Sequence, residues 1–262
     1  MYKKGFTLAE VLITLGVIGV VSAMTLPTLI KEYQKHVWVN QLKKSYSLLE
    51  QAFQKMMVDD GVQKISDTSM WAIKGDSNNC IQDSYLNDGS VCRLLIDSYK
   101  KYLKIINVEK YGKNIAYLRG KGYVLSNSNA YFVLSDGTMF YLTLNVRPNT
   151  KTEEQCNQIK SLGGNLCSTV GTILIDINGK KSPNTYGRDI FQFSLSDDGK
   201  LHPYSGINQA LHKSQTALDN NTKYWRKTTS FCGTHDSSEI PNNTKGDGCA
   251  ARIIENGWKM DY

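Results

Sequence analysis

The hydrophobic pattern begins with a long apolar run near the N-terminus. Between residues 6 and 30 there are 25 residues, of which only Glu10 is charged. At about 1.5 Å per residue, a helix of that length crosses a hydrocarbon core of about 30 Å. Because Lys3 and Lys4 precede the run, the positive-inside rule predicts a single-pass protein with a cytoplasmic N-terminus. Residues 31–262 would then face outward.

A periodic pattern replaces the continuous apolar run after residue 30. Up to Met57 the apolar positions recur at spacings of three, four and seven, which is typical of one face of a helix. No Gly or Pro interrupts residues 31–57, and Asp59-Asp60-Gly61 is expected to end the helix. The sequence thus predicts one bent rod over residues 6–58, about 80 Å long. The apolar stripe of residues 31–58 would pack on a globular domain, although a coiled coil with a partner would use the same stripe.

The rest of the chain, residues 59–262, predicts an exported globular α+β domain. Residues 61–90 are polar and turn-rich and predict a loop region, and a second helix is expected from Ser90 to about Ile106. After residue 122 the pattern changes to short runs rich in Tyr, Phe, Val, Leu and Thr, and Asp136-Gly137 between two of them predicts a hairpin. The strand candidates are residues 130–135, 139–145, 171–177, 190–196 and 200–204. An antiparallel sheet packed on the long helix would bury these runs. Short helices are expected at residues 207–219 and 249–256, with a loop over 220–246.

The segment 5–10, Gly-Phe-Thr-Leu-Ala-Glu, resembles the cleavage and methylation motif of type IV pilins and type II secretion pseudopilins. The resemblance is close over residues 1–30 and fades by about residue 58. It implies that prepilin peptidase removes the leader, residues 1–5, by cutting after Gly5 and that the new amine of Phe6 is methylated. It also implies that subunits assemble into a filament through residues 6–30, with other pilin-like subunits and an inner-membrane assembly machine as partners.

Glu10 carries a charge within the apolar run, and such a residue usually has a function. If Phe6 becomes the N-terminus, its ammonium and the Glu10 carboxylate of a staggered neighbour can neutralise each other, which predicts an assembly role for Glu10. Two alternatives remain open at this point. The run could be a plain membrane anchor, or an ordinary secretory signal cut after Ala23.

Composition and cysteine count refine this expectation. The formal charge of +7 would fall to +5 after removal of Lys3 and Lys4, which permits binding to DNA or anionic surfaces without a dense basic block. An even number of cysteines in an exported segment predicts disulfides, although 15 pairings are open. Because three short spacings stand out, we expect the pairs Cys80–Cys92, Cys156–Cys167 and Cys232–Cys249. Reduced thiols in a cytosolic protein are the alternative, and they require rejecting the anchor.

A loop at residues 176–189 is the main candidate for metal binding. Its Asp and Asn oxygens are the hard ligands that calcium prefers, and the resemblance adds that several pseudopilins use calcium to fix a loop. The expected ligands are Asp176, Asn178, Asn184 and Asp189. The segment departs from the EF-hand pattern, and two consecutive structural turns around residues 178–179 and 183–184 explain the same composition without a metal.

Catalysis has little support in the sequence. The four histidines, His36, His202, His212 and His235, adjoin no nucleophile or metalloprotease motif, so we expect a protein that is not an enzyme and requires no cofactor. The 15 tyrosines are expected to cover the sheet, although exposed ones could stack on DNA bases or sugars. The sequence therefore predicts a structural filament subunit, of a minor or specialised kind given its six cysteines and long outer domain. The alternatives are a membrane-anchored module that binds DNA or a surface ligand, and an exported enzyme released by cleavage near Ala23.

Overall fold

A computed structural model shows a long N-terminal helix packed against an antiparallel sheet. It describes residues 7–73, 91–110, 116, 130–150, 152–154, 156, 157, 168–203, 232, 246 and 248–262. The predicted α+β class is confirmed.

Helix α1 runs from Leu8 to Asp60 and contains Pro27. Its 53 residues correspond to a length of about 80 Å. The side chain of Thr7 caps its N-terminus, and Gly61 ends it with φ at 65°, a left-handed conformation that glycine adopts without steric cost. The predicted continuous helix is confirmed over its described part, and its C-terminus lies two residues beyond the expected position.

The outer half of α1 belongs to the core of the globular domain. Its buried residues recur at helical spacing and face the sheet; they are Val39, Leu42, Ser45, Leu49, Ala52, Phe53, Met56 and Met57. Polar contacts complement this packing, because the Tyr46 hydroxyl donates to the carbonyl of Leu201 at 3.0 Å. The stripe predicted for residues 31–58 therefore contacts this chain's own domain.

The sheet is an antiparallel meander that follows chain order. Within the described residues it has six strands: β1 Ile105–Lys110, β2 Ala130–Leu134, β3 Met139–Thr150, β4 Ser168–Asp176, β5 Ile190–Ser196 and β6 Leu201–Pro203. One face packs on α1, where the ring of Tyr99 lies within 6.5 Å of the rings of Phe53, Phe132 and Phe140. The opposite face carries a second buried cluster that includes Tyr131, Leu174 and Tyr186.

The hairpin predicted at Asp136-Gly137 is present and joins β2 to β3. The Leu134 N–H donates to the Thr138 carbonyl at 2.8 Å, and Gly137 has φ at 88°. Asp136 also accepts a bond from Lys44 Nζ of α1 at 2.7 Å, so the turn is tied to the long helix.

Several element boundaries differ from the sequence expectation. The segment predicted as a loop over 61–90 contains a 3-10 turn, Ile65–Asp67, and a short helix α2, Ser69–Ala72, stabilised by Thr68 as its N-cap. Helix α3, Val91–Lys100, begins as expected but ends early, because Ile106 belongs to β1. Strand β3 extends past residue 145 and β4 begins before residue 171, since they pair with each other there. Helix α4, Cys249–Glu255, is confirmed, while the helix expected at 207–219 and most of the loop expected at 220–246 lie outside the described residues.

Candidate functional site

The start of α1 is organised by the motif residues Thr7 and Glu10. Glu10 Oε2 accepts bonds of 2.8 Å from both the N–H and the hydroxyl of Thr7, and the Glu10 N–H donates to Thr7 Oγ1 at 3.3 Å. This reciprocal pair is a capping box, in which two N–H groups at the helix start are satisfied by side chains. This role was not predicted from the sequence, although Thr and Glu three positions apart before an apolar run carry its signature. Gly5 and Phe6, the predicted processing residues, lie outside the described residues.

The apolar part of α1 is exposed along its whole length. Leu12, Leu15 and Ile18 are each at least 60 % exposed, although a folded domain normally buries such side chains. By length and composition α1 can cross a membrane, and it is the one described helix that meets this criterion. Such an exposed apolar surface is typical of a segment that lies in lipid or packs on other apolar helices.

In the loop 176–189 the buried carboxylate of Asp189, one of the four predicted calcium ligands, accepts backbone hydrogen bonds. Asp189 Oδ2 accepts from the Asn184 N–H at 2.8 Å, and Oδ1 accepts from the Thr185 N–H at 2.6 Å. Burial raises the pKa of the Asp189 carboxyl, and these two N–H groups oppose the increase by stabilising the charged form. Asp189 therefore closes the turn by capping two backbone donors.

The other side-chain oxygens of this loop give observations both for and against metal binding. Asp176 is fully buried and accepts from the Asn178 N–H at 3.2 Å. Asn178 Oδ1 is buried and has no hydrogen-bond partner among the described residues, whereas Asn184 has φ at 49° in its turn. The described residues hold no cluster of three or more His, Cys, Asp or Glu side chains suited to a metal. Two carboxylates and two amide oxygens are ligand types that calcium prefers. The hydrogen bonds described for this loop are nevertheless mostly those of a structural turn.

One predicted disulfide is confirmed. Cys232 and Cys249 are bonded and both are buried, with Cys249 at the start of α4. This bond attaches residue 232 to the core beneath the sheet. Cys80 and Cys167 lie outside the described residues, so the pairs predicted for Cys92 and Cys156 stay predictions.

His202 takes part in a small polar cluster at the β5–β6 turn. Its Nε2 lies 3.2 Å from Ser196 Oγ, and Ser196 Oγ also bonds to Asp198. In a catalytic triad the acid orients the far ring nitrogen of the histidine, but here the contact of Asp198 is with the serine itself. The cluster thus organises a turn. His36 is exposed on α1, and His212 and His235 lie outside the described residues.

A group of basic side chains lies where the apolar part of α1 ends. Lys31 and Lys35 of α1 line one groove together with Arg188, and Lys180 and Lys181 line an adjoining groove on the other side of Trp38. This grouping was not predicted from the sequence, because about 150 residues separate its two halves in the chain.

Comparisons with known proteins match the two parts of the chain separately. A model described as the prokaryotic N-terminal methylation motif matches residues 1–26, which supports a type IV pilin-like or pseudopilin-like protein. No curated protein and no solved structure matches the chain. A model described as a family of unknown function (DUF6613) covers residues 28–262, which is most of the chain, and the protein belongs to that family.

Proposed function

We propose that this protein is a structural subunit of a type IV pilus or of a type II secretion pseudopilus-like filament, of a minor or specialised kind. Prepilin peptidase would cut after Gly5, the amine of Phe6 would be methylated, and the mature helix would wait in the inner membrane with its domain outside. The observation that carries the proposal is the continuous helix α1, Leu8–Asp60. One half of it is an exposed apolar rod, and the other half is the core of the domain.

The exposed half of α1 explains why assembly and membrane storage use the same surface. Apolar side chains surround the helix on all sides between Leu8 and Ile30, so it has no single face to bury. Lipid can cover all sides of such a helix, and so can a bundle of identical helices. A subunit can therefore pass from the membrane to a filament without exposing this surface to water.

We assign to Glu10 the role of fixing the axial stagger between neighbouring subunits of the filament. The described bonds from Thr7 both use Oε2, and we assign Oε1 to the terminal ammonium of a neighbouring subunit. Pairing removes two isolated charges from an apolar environment at once, which favours one stagger between subunits over others.

The first experiment is intact mass and N-terminal sequencing of the mature protein from membranes. A start at methylated Phe6 supports the proposal. A start at Met24 would indicate a released secretory protein, and an uncut Met1 would indicate a plain anchor, so either result overturns it.

The role of Glu10 needs a separate test in cells that contain the assembly machinery. Glu10→Ala should leave the amount of protein in membranes unchanged and should strongly reduce its incorporation into filaments. Thr7→Val is the matched control, because it removes the hydroxyl that caps the Glu10 N–H and keeps the carboxylate. Normal incorporation of Glu10→Ala, or an equal defect in Thr7→Val, would contradict the assigned pairing.

Calcium binding by the loop 176–189 is a second proposal, favoured by the buried Asn178 Oδ1 that lacks a partner among the described residues. Asp176, Asn178, Asn184 and Asp189 would hold the ion, which would supply charge to offset the two buried carboxylates. Added calcium should raise the melting temperature of the full chain, and Asn178→Ala should reduce the increase. An unchanged melting temperature together with no heat in a calcium titration would remove this proposal.

A further inference from the structure

A groove lies beside α1 just beyond its apolar part, between the helix and the sheet with its turns. Its volume is about 760 Å³, which falls within the roughly 300–1,000 Å³ typical of sites for small molecules. We call it the α1–sheet groove and define it by six lining residues, which are Tyr33, Trp38, Gln41, Glu109, Asp136 and Asn178. Three of them belong to α1 and three to the sheet or its loops, so the groove exists only in the folded domain.

The two walls of the groove differ in chemistry. On α1, Tyr33 is 70 % exposed and Trp38 is partly exposed, so this wall offers aromatic surface to a ligand. On the sheet side Val133 is buried, whereas Asp136 and Glu109 keep part of their side chains exposed. The groove therefore has one aromatic wall and one polar wall, and they suit a ligand with an apolar face and a polar edge.

The two carboxylates in the described lining already have cationic partners. Asp136 accepts a bond of 2.7 Å from Lys44 Nζ, and Glu109 pairs with Lys180. These pairs neutralise the carboxylates of the polar wall. A neutral ligand can therefore add hydrogen bonds in the groove without breaking an ion pair.

Two amide oxygens of the lining lack the donor that a buried oxygen normally has. Gln41 Oε1 and Asn178 Oδ1 are both buried and have no hydrogen-bond partner among the described residues. A buried acceptor without a donor costs free energy, so such an atom points to a donor supplied from outside the chain. Because calcium would use Asn178 Oδ1 as well, Gln41 is the residue on which a separate ligand depends.

We propose that the α1–sheet groove binds a neutral saccharide. A pyranose ring has an apolar face of C–H groups, which suits the aromatic wall, and an edge of hydroxyl groups that donate hydrogen bonds. One hydroxyl would donate to Gln41 Oε1, while the C–H face would lie on the ring of Tyr33. An acyl chain would cover the same rings but leave the Gln41 oxygen without a donor. This inference goes beyond the filament role and does not depend on processing or assembly.

The test is calorimetric titration of the full chain in a zwitterionic detergent that has no sugar headgroup. The probes are maltose, cellobiose and di-N-acetylchitobiose, and a chelator keeps Asn178 free of calcium. Gln41→Leu removes the acceptor at nearly the same size, and Tyr33→Ala removes the ring. Gln51→Leu is the matched control, because Gln51 is exposed on the same helix away from the groove.

At least one of the three disaccharides should bind the wild type and the Gln51→Leu control equally. Gln41→Leu should weaken that binding by roughly fivefold, which corresponds to the loss of one neutral hydrogen bond. It should not lower the urea midpoint, since it removes an unpaired buried oxygen. If Gln41→Leu nevertheless failed to fold, Tyr33→Ala would decide the question, because Tyr33 is exposed and its loss leaves the core intact.

Three results would overturn the proposal. They are no heat with any of the three disaccharides, equal affinity of the wild type, Gln41→Leu and Tyr33→Ala, and binding of an anionic sulfated disaccharide while the neutral ones remain silent. Since the titration uses the isolated chain and filament incorporation is measured in cells, failure of the saccharide site leaves the proposed function standing. Failure of filament incorporation likewise leaves the saccharide site standing.

Discussion

Replacing Phe53 by Ala tests whether the outer half of α1 is the core of the domain or the contact surface for a partner helix. Phe53 is fully buried, and its ring meets that of Tyr99 edge-on with centroids 6.5 Å apart. Burial of a phenyl side chain contributes roughly 2–3 kcal/mol, and the cavity left in a close-packed core adds to the loss. We therefore expect Phe53→Ala to lower the free energy of unfolding by about 3–5 kcal/mol.

The assay is urea unfolding of the full chain in detergent micelles, followed by tryptophan fluorescence and circular dichroism. Phe53→Leu should cost less than about 1.5 kcal/mol, because it keeps most of the volume. Val58→Ala is the surface control, since Val58 is 75 % exposed on the same helix, and its effect should stay within about 0.5 kcal/mol. If Phe53→Ala cost under about 1 kcal/mol, the stripe would belong to a coiled coil with a partner.

Three further predictions concern the rest of the domain. Replacing Cys232 and Cys249 by Ala should lower the free energy of unfolding by about 3 kcal/mol, because the bond closes a loop with a separation of 17 residues; an unchanged urea midpoint would contradict a stabilising bond. Gly246→Ala should be much more destabilising than Gly61→Ala. Both positions have positive φ, so an alanine at either one costs about 1–2 kcal/mol in backbone strain. The added Cβ at residue 246 also overlaps the backbone carbonyl of Tyr186, whereas nothing lies within 4 Å of a Cβ at residue 61. Equal melting temperatures of the two variants would refute that packing. Burial lowers the pKa of His202 below its ordinary 6.5, so the unfolded state binds the proton first and the domain should lose stability as pH falls through about 6.5. His202→Gln should flatten that dependence in urea titrations at several pH values, and an equal slope would argue against it.

The sequence predicts the long helix and most of the strands because their patterns leave little ambiguity. The apolar run up to Ile30 is long enough to predict a membrane-spanning helix, the stripe beyond it has a helical period, and Asp136-Gly137 is a strong turn signal between two β-prone runs. Strand β1 is missed for a physical reason. Leu103 and Ile106 continue the three-residue spacing of α3, and no Gly or Pro marks the change at residue 101. Ile106 is 67 % exposed on this strand at the edge of the described sheet, so burial does not reveal it either.

For the candidate sites, the sequence predicts which residues take part better than it predicts what each residue does. The sequence places Asp189 among oxygen ligands, but its two bonds run to backbone N–H groups four and five residues earlier, which depends on the turn that the loop adopts. Likewise, the spacing of Cys232 and Cys249 suggested their bond, whereas the grouping of Lys31 and Lys35 with Arg188 depends on the docking of the β4–β5 loop against α1. Contacts that folding creates between distant segments leave no local pattern.

The continuity of α1 from Leu8 to Asp60 has a mechanical consequence. The described helix is continuous between its apolar half and its domain, although Pro27 removes one backbone hydrogen bond, so a pull or a twist on one end passes along the helix to the other. The load reaches the domain through interlocked side chains such as Leu42, Leu49 and Phe53. Because these lie at the centre of the core, the helix cannot slide out without unfolding the domain around it. A machine that lifts the domain therefore lifts the helix by the same distance, and the stiffness of the rod sets how faithfully that motion is transmitted.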